Sequence, residues 1–441
     1  MRERQPVIPG IDSLNSKKPK AKKASHYFWE PGGQPPVLGS HSIAKHQVLK
    51  EYLEKYVAIL AARPVQEQLR LTLVDGFSGG GAYLHPESGE RLPGSPLIMT
   101  KAMATAEAIA KESRRKDFCL DVEYFFIEKQ QSTIEFLSQE LCESKSAYSQ
   151  MDRINVLQGT FSEYLEPIIS QVEQRSRSRR VIFVLDQYGF TDVRMSDLRK
   201  IFKRLRNAEV ILTIATDWLI DHWTEKANYD QILANLGINL ASTFAREIKE
   251  AHPTDWRPVI QHKLHGEFYS ESGAAYYTPF FIHSKDSHRA YWLLHYSGHS
   301  KARDVMMHLH WELNNHFQHF GRAGFGMLGY DPRRHESGVQ QLKLSFAFDE
   351  SAAEQTEQAL LSEIPRRITP DGITFNDFFE QVVNETPATK QMIGHQIRKL
   401  TREKELEILS ADGKLRKNGV QLQDSDIIRR PYRRLLLPPT T

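Results

Sequence analysis

The sequence predicts a doubly wound, mostly parallel α/β sheet followed by a winged-helix module, and three observations carry that expectation. Five short apolar runs, at 69–75, 122–128, 154–158, 181–186 and 210–216, alternate with helical patterns. Each run is apolar on both faces, as strands covered by helices on both sides must be. After residue 364 the pattern changes to two amphipathic helices and two short strands around a turn, the order of a winged helix.

Residues 1–25, with Lys17, Lys18, Lys20, Lys22 and Lys23 among polar residues, lack an apolar period and read as a disordered basic arm. A helix is expected over 42–62, where Val48, Leu49, Tyr52, Leu53, Tyr56 and Ile59 fall at helical spacing. Ser95 and Pro96 suit a helix N-cap and first position, predicting a helix over 96–114. Residues 82–93 then form a loop able to fold over a ligand. Past the fifth strand, helical patterns fill 218–250. The runs 277–284 and 290–296 read as an antiparallel hairpin completing the sheet edge, and 301–320 as a helix. In the last segment, helices are expected over 374–384 and 389–404, with wing strands at 405–409 and 420–422. The domains expected are an arm at 1–25, the α/β domain at 26–330, a connection at 331–363 and the winged helix with a basic tail at 364–441.

Composition bounds the function classes. The chain has 441 residues, 40% hydrophobic and 26% charged, enough for two or three domains with a sizeable core. Its two cysteines, Cys119 and Cys142, cannot furnish a disulfide framework or a four-thiolate zinc site. No apolar run approaches the ~20 residues of a membrane span, and no apolar leader opens the chain, so a cytoplasmic protein is expected. The formal charge of +3 is uneven. Residues 1–25 hold seven basic against two acidic residues, 26–363 hold 37 against 43, and 364–441 hold fourteen against ten. Basic ends on a mildly acidic body suit a polyanionic partner.

The chemistry concentrates where strands end. The first strand runs into Asp75-Gly76-Phe77-Ser78-Gly79-Gly80-Gly81. Glycines let the backbone approach a ligand closely, and the carboxyl edge of a parallel sheet is where such ligands bind. The spacing is neither a Walker loop nor Gly-x-Gly-x-x-Gly opening a helix at once. It resembles the first motif of S-adenosylmethionine-dependent methyltransferases. On that resemblance Asp75, Gly76, Phe77, Gly79 and Gly81 shape the cofactor turn. Ser95 opens a helix whose N–H groups receive a carboxylate. Glu128, ending the second strand, accepts from a ribose diol. Thr160 and Phe161, after the third, sit near the adenine. Asp186, ending the fourth, is the expected catalytic residue, with Tyr188 stacking on a flipped base.

Further motifs resemble the three-Cys-motif partner proteins of bacteria. They are His26-Tyr27-Phe28-Trp29, Lys45-His46, the glycine turn, Gly94-Ser95-Pro96, Phe126-Ile127-Glu128, Leu185-Asp186-Gln187-Tyr188-Gly189, Tyr291-Trp292-Leu293-Leu294 and the paired Met306 and Met307. The resemblance covers roughly 26–330 and implies a methyltransferase-like sheet and a cysteine-rich partner protein. Here Gln187 and Tyr188 replace the proline and phenylalanine that the family has after its acid.

The function expected is S-adenosylmethionine-dependent methyl transfer to a nucleic acid, DNA before RNA. Lys390, Arg398, Lys399, Arg402, Lys414 and Arg416 are the candidate nucleic-acid contacts. The alternatives are a non-catalytic DNA-binding partner subunit and a magnesium nuclease using Asp75, Glu128 and Asp186. No metal site is expected otherwise. His308, Glu312, His316 and His319 share one face of the expected 301–320 helix and read as a solvated stripe. Arg175, Arg177, Arg179 and Arg180 read as a solvated loop or a phosphate patch.

Overall fold

The computed structural model describes residues 27–63, 65–144, 151–221, 223, 229–251, 253, 256–283, 290–313, 317–320, 324–325, 345–417 and 421–431. The expected basic arm at 1–25, His26 and the last ten residues lie outside them.

The first half alternates as expected. It runs α1 (Ser40–Ala61), β1 (Gln68–Asp75), a small hairpin of β2 (Ala82–Leu84) and β3 (Arg91–Pro93), and α2 (Ser95–Glu112). Then come β4 (Cys119–Glu128), α3 (Gln131–Glu143), β5 (Ile154–Gln158), α4 (Phe161–Arg175), β6 (Val181–Asp186), α5 (Met195–Arg204) and β7 (Ala208–Ile214). Four helices follow, α6 (Thr216–Asp221), α7 (Tyr229–Leu236), α8 (Ser242–Ala251) and α9 (Trp256–Ser272), before β8 (Tyr276–His283), β9 (Ala290–Ser297) and α10 (Ser300–Leu313). Strands β10 (Phe317–Phe320) and β11 (Ser345–Ala347) extend the same sheet.

The order across that sheet is β11-β10-β8-β9-β7-β6-β1-β4-β5. Strands β5, β4, β1, β6 and β7 are parallel, and β9 enters antiparallel between β7 and β8. A reversed last strand inserted beside the fifth is the strand order of the S-adenosylmethionine methyltransferase fold, which this domain adopts. The hairpin is therefore not the sheet edge, as expected from sequence. Among the described residues the edge on that side is β11, because β10 pairs with β8 and β11 with β10. The expected helix over 301–320 ends at Leu313, and His319 stands in β10. His308 and Glu312 keep one face of α10, 3.2 Å apart, but His319 is off that helix, and His316 lies outside the described residues.

Alternation inside each strand divides two cores. In β6, Ile182 and Val184 face the layer of α1, α2 and α10, whereas Val181, Phe183 and Leu185 face that of α4, α5 and α9. Every one of these side chains is at most 6% exposed. At about 25 cal/mol per Å² of apolar surface, such two-sided burial is what fixes strand register.

The C-terminal module is a winged helix. It comprises helix αA (Glu350–Arg367), β12 (Ile373–Thr374), helix αB (Phe375–Val382), helix αC (Lys390–Arg402), β13 (Glu407–Leu409) and β14 (Ile427–Arg429). Thr374 and Thr389 cap αB and αC by accepting from Asp377 N and Met392 N. Two differences from expectation stand out. Helix αA crosses the boundary placed at 364, because Leu360 and Ile364 belong to the same core as Phe378, Ile393 and Ile428. The strand that pairs with β13 is Ile427–Arg429, with Ile428 buried opposite Ile408; of the expected 420–422, Val420 lies outside the described residues and Gln421 and Leu422 are not in a strand.

The module docks on α10 and the start of β8. Trp311 Nε1 donates to Pro387 O at 2.8 Å, Lys390 N to Asp304 Oδ1 at 2.8 Å, and Tyr277 N to Asn384 Oδ1 at 3.1 Å. Fully buried Arg303 donates to Thr386 O, and burial lowers its guanidinium to about 10.

Candidate active site at the carboxyl edge of the sheet

Parallel strands β1, β4 and β6 deliver Asp75, Glu128 and Asp186 to one edge, around a cavity of about 470 Å³. That lies within the usual range of a small-molecule site, roughly 300–1,000 Å³. Gly76, Phe77, Gly79, Ser95, Glu128 and Gly159 line one part of it, and Lys45, His46, Asp186, Gln187, Tyr188 and Tyr291 another.

The glycine turn is shaped by its neighbours. Gly79 has a φ of 57°, and a Cβ on Gly80 would stand 2.3 Å from the Trp29 ring. Trp29, 4% exposed, donates to Ala82 O at 2.8 Å and packs with Tyr27 and Tyr83. Residues 82–93 are accordingly not a loose loop but the β2–β3 hairpin, held against this aromatic cluster. Gly81 faces Leu137 and serves packing rather than the cavity.

Glu128 clamps the turn: Oε2 accepts from Gly79 N at 3.2 Å, and Oε1 from Lys129 N and Gln130 N. Asp75, 1% exposed, accepts from Phe77 N through Oδ1, while Oδ2 has no hydrogen-bond partner. Burial pushes its carboxyl up to about 7; the Ser95 hydroxyl and the Phe77 amide oppose this, and the charges of Asp186 and Glu128 add to it. Ser95 is the first residue of α2 rather than its cap, which is Gly94.

Two expected adenine contacts are otherwise engaged. Thr160 caps α4, its hydroxyl accepting from Glu163 N at 3.3 Å. Phe161 is 1% exposed, in the core edge-on to Phe183. Gly159 lines the cavity in their place.

Asp186 does not face the cavity alone. Lys45 of α1 donates to both carboxylate oxygens, at 2.7 and 2.6 Å, with its own side chain only 10% exposed. Burial would raise the Asp186 carboxyl, but the Lys45 charge and hydrogen bond, Thr213 and His46 together hold it below its ordinary value. Burial and the Lys45 charge lower His46 to about 4, so its imidazole is neutral at pH 7. Sequence reasoning missed this pair because 141 positions separate its members. The only signal was the Lys45-His46 dipeptide among the resemblance motifs. Gln187, 3% exposed, accepts from Asp192 N and Val193 N, leaving Nε2 unpaired. Tyr188 is 57% exposed at the cavity.

Of the candidate nucleic-acid residues, two turn inward. Lys390 pairs with Asp424 at 2.7 Å over the faces of Phe375 and Phe379. Arg416 pairs with buried Asp426 at 2.6 Å. Lys399, Arg402 and Lys414 are exposed and Arg398 is half-buried. Arg175 is no phosphate patch: it binds Asp121 and the Leu71 carbonyl on the sheet.

A family model described as a GMT-like wHTH domain matches residues 329–413, and so reaches N-terminal to the expected boundary, as αA does. No curated protein matches the chain. Solved structures that it resembles include a precorrin-6y C5,15-methyltransferase from Geobacter metallireducens, at 10% identity and TM-score 0.21, covering 55% of this chain and 88% of that one. Another is PKMT2 from Rickettsia typhi, at 9% identity and TM-score 0.26, covering 73% and 70%. A third is Trm1 from Pyrococcus horikoshii with S-adenosyl-L-methionine, at 10% identity and TM-score 0.28, covering 88% and 91%. The fold assignment itself rests on the strand order. What the chain joins is a methyltransferase-type sheet with a donor-lined acid at its fourth strand and a C-terminal winged helix.

Proposed function

We propose that the protein transfers a methyl group from S-adenosylmethionine to a nucleic acid. The observation that carries this reading is the cavity at the ends of β1, β4 and β6, which Asp186 and Tyr188 line together with the glycine turn. The residues present suit the cofactor. Gly76, Gly79, Ser95 and Glu128, all lining the cavity, would hold it, the positive φ of Gly79 keeping the backbone of the turn open to it. When bound, it supplies an activated methyl group on a sulfonium. The chain's own work is positioning. Asp186 and Lys45 orient the acceptor, Tyr188 offers a stacking face, and the Trp29–Tyr83 wall excludes water.

The winged helix supports a polyanionic substrate through Arg398, Lys399, Arg402 and Lys414, with duplex DNA the first expectation from sequence. The resemblance to the three-Cys-motif partner family adds a cysteine-rich protein as companion. The binding-subunit alternative predicts side chains filling the cofactor space, whereas Phe77 and Tyr83 form walls of an open cavity. The nuclease alternative needs three converging carboxylates, but Asp186 is paired to Lys45 and Glu128 accepts three backbone N–H groups.

Calorimetry with S-adenosylmethionine and a radiolabelled transfer assay on DNA and RNA test the reading. Glu128→Ala is expected to weaken cofactor binding by ~1.5–3 kcal/mol, the contribution of a charge-assisted hydrogen bond. Wild-type protein that binds no cofactor at millimolar concentration would refute it.

A further inference from the structure

An acceptor site can be read from its donors and acceptors. An exocyclic amine attacks through its nitrogen lone pair and offers two N–H groups, so it needs acceptors around it, and a donor aimed at that nitrogen would quench it. The fourth-strand tip here is built otherwise. The Asp186 carboxylate is bridged by the Lys45 ammonium, and the next residue, Gln187, presents an unpaired donor. Which end of that amide is nitrogen is fixed by chemistry: its oxygen accepts from two backbone N–H groups, Asp192 and Val193. Gln187 is 3% exposed and lines the cavity with Lys45 and Asp186. A buried unpaired amide donor is costly unless a ligand atom meets it.

Two donors and one acceptor complement an oxygen nucleophile. We propose that the methyl acceptor is a hydroxyl, and that in a nucleic acid it is the ribose 2′-hydroxyl of RNA. This rests on the methyltransferase reading and reverses the order of DNA and RNA expected from sequence. The hydroxyl oxygen accepts from Lys45 through one lone pair and keeps another for attack. It gives its proton to the Asp186 carboxylate and forms the new O–C bond as the methyl carbon's bond to the sulfonium sulfur breaks, that electron pair staying on sulfur. The positive charge of the donor is thereby removed and the proton is held on Asp186 until it is released to solvent. Gln187 Nε2 positions the acceptor nucleotide by donating to a neighbouring oxygen. A 2′-deoxynucleotide offers nothing to Lys45, and a site built to hydrogen-bond a hydroxyl discriminates strongly against the analogue lacking it.

The test uses the full chain, a random-sequence RNA pool and its 2′-deoxy counterpart. After incubation with methyl-labelled S-adenosylmethionine, nucleosides are resolved by mass, and 2′-O-methyl products in the RNA pool alone are expected. A second readout needs no turnover. With S-adenosylhomocysteine bound, affinities for a short RNA and for the same strand with 2′-deoxy residues are compared. Wild type should favour the RNA by about tenfold or more. The preference should vanish in Lys45→Met and shrink in Gln187→Leu, with melting curves confirming that each variant is folded. Lys45→Arg, which keeps the positive charge, should restore part of it if Lys45→Met proves unstable. Methylated exocyclic amines in either pool, or equal affinities with the cofactor product bound, overturn the hydroxyl assignment and leave the methyltransferase reading standing. Failure to bind either cofactor form overturns both.

Discussion

The two ends of the parallel strands are built from the same residue types and treat them oppositely. Toward the amino ends, the arginines are tied to the chain by several bonds each, and the buried Glu123 Oε2, without a hydrogen bond, still has a cation beside it. Arg175 donates to Leu71 O at 2.6 Å, to Asp121 Oδ1 at 2.5 Å and to Asp121 O at 2.9 Å, and lies 3.6 Å from Glu123. Arg114 likewise gathers the carbonyls of Ala61, Arg63 and Gln66. At the carboxyl ends, Asp75 Oδ2 and Gln187 Nε2 are buried without hydrogen-bond partners, and Asp186 is held charged beside a cavity chiefly by Lys45. Polar groups that tie the chain to itself stabilise the fold, whereas those left incomplete are where a ligand is anticipated.

The largest expected break in this contrast comes from Asp186→Ala. Transfer should fall about a thousandfold or more while cofactor affinity stays within about tenfold, as measured by radiolabel transfer and calorimetry. Full activity in this variant would erase the functional side of the comparison.

Asp75→Asn sharpens it through pH. A carboxyl raised from 3.8 to about 7 in the fold supports stability fully below its unfolded value. That support is lost as pH rises from about 4 through 7, where the buried group is forced to ionise. The asparagine variant escapes the loss, so its melting temperature relative to wild type should climb across that window and level off above it. The difference is on the order of 4 kcal/mol at most. A flat difference across the window would show that Asp75 is not a strained acid.

Arg175→Met probes the opposite end. It removes the closer of the two arginines beside Asp121 and should cost about 3 kcal/mol in denaturant unfolding, with cofactor affinity unchanged. A loss of cofactor binding at unchanged stability would reverse the roles assigned to the two ends. The smallest effect belongs to the winged helix. Replacing Arg398 and Lys399 with glutamine should flatten the salt dependence of nucleic-acid binding by nearly one unit per lost phosphate contact. An unchanged slope would point to a protein-binding use of αC.

The five parallel strands were legible because two-sided burial leaves an uninterrupted apolar run, and the acids ending them were legible because each run stops at one. The reversed β9 was placed at the edge rather than between β7 and β8, since the run Tyr291-Trp292-Leu293-Leu294 carries no mark of which neighbours it takes. Phe161 looked like a ligand contact because it follows a strand, yet it belongs to the core. Lys390 and Arg416 looked like surface cations because charge is visible in a sequence and its counter-ion, Asp424 or Asp426, is not assigned there.

By itself, then, the sequence determined the layered α/β architecture, the glycine turn and the set of acids at the strand ends. These follow from local periodicity and from residues that only one backbone geometry tolerates. The tertiary structure alone decided what Asp186 is. Residues 45 and 186 meet through the packing of α1 across the sheet, and an ion pair forms between whichever charges the fold brings within 3 Å, whatever their distance along the chain.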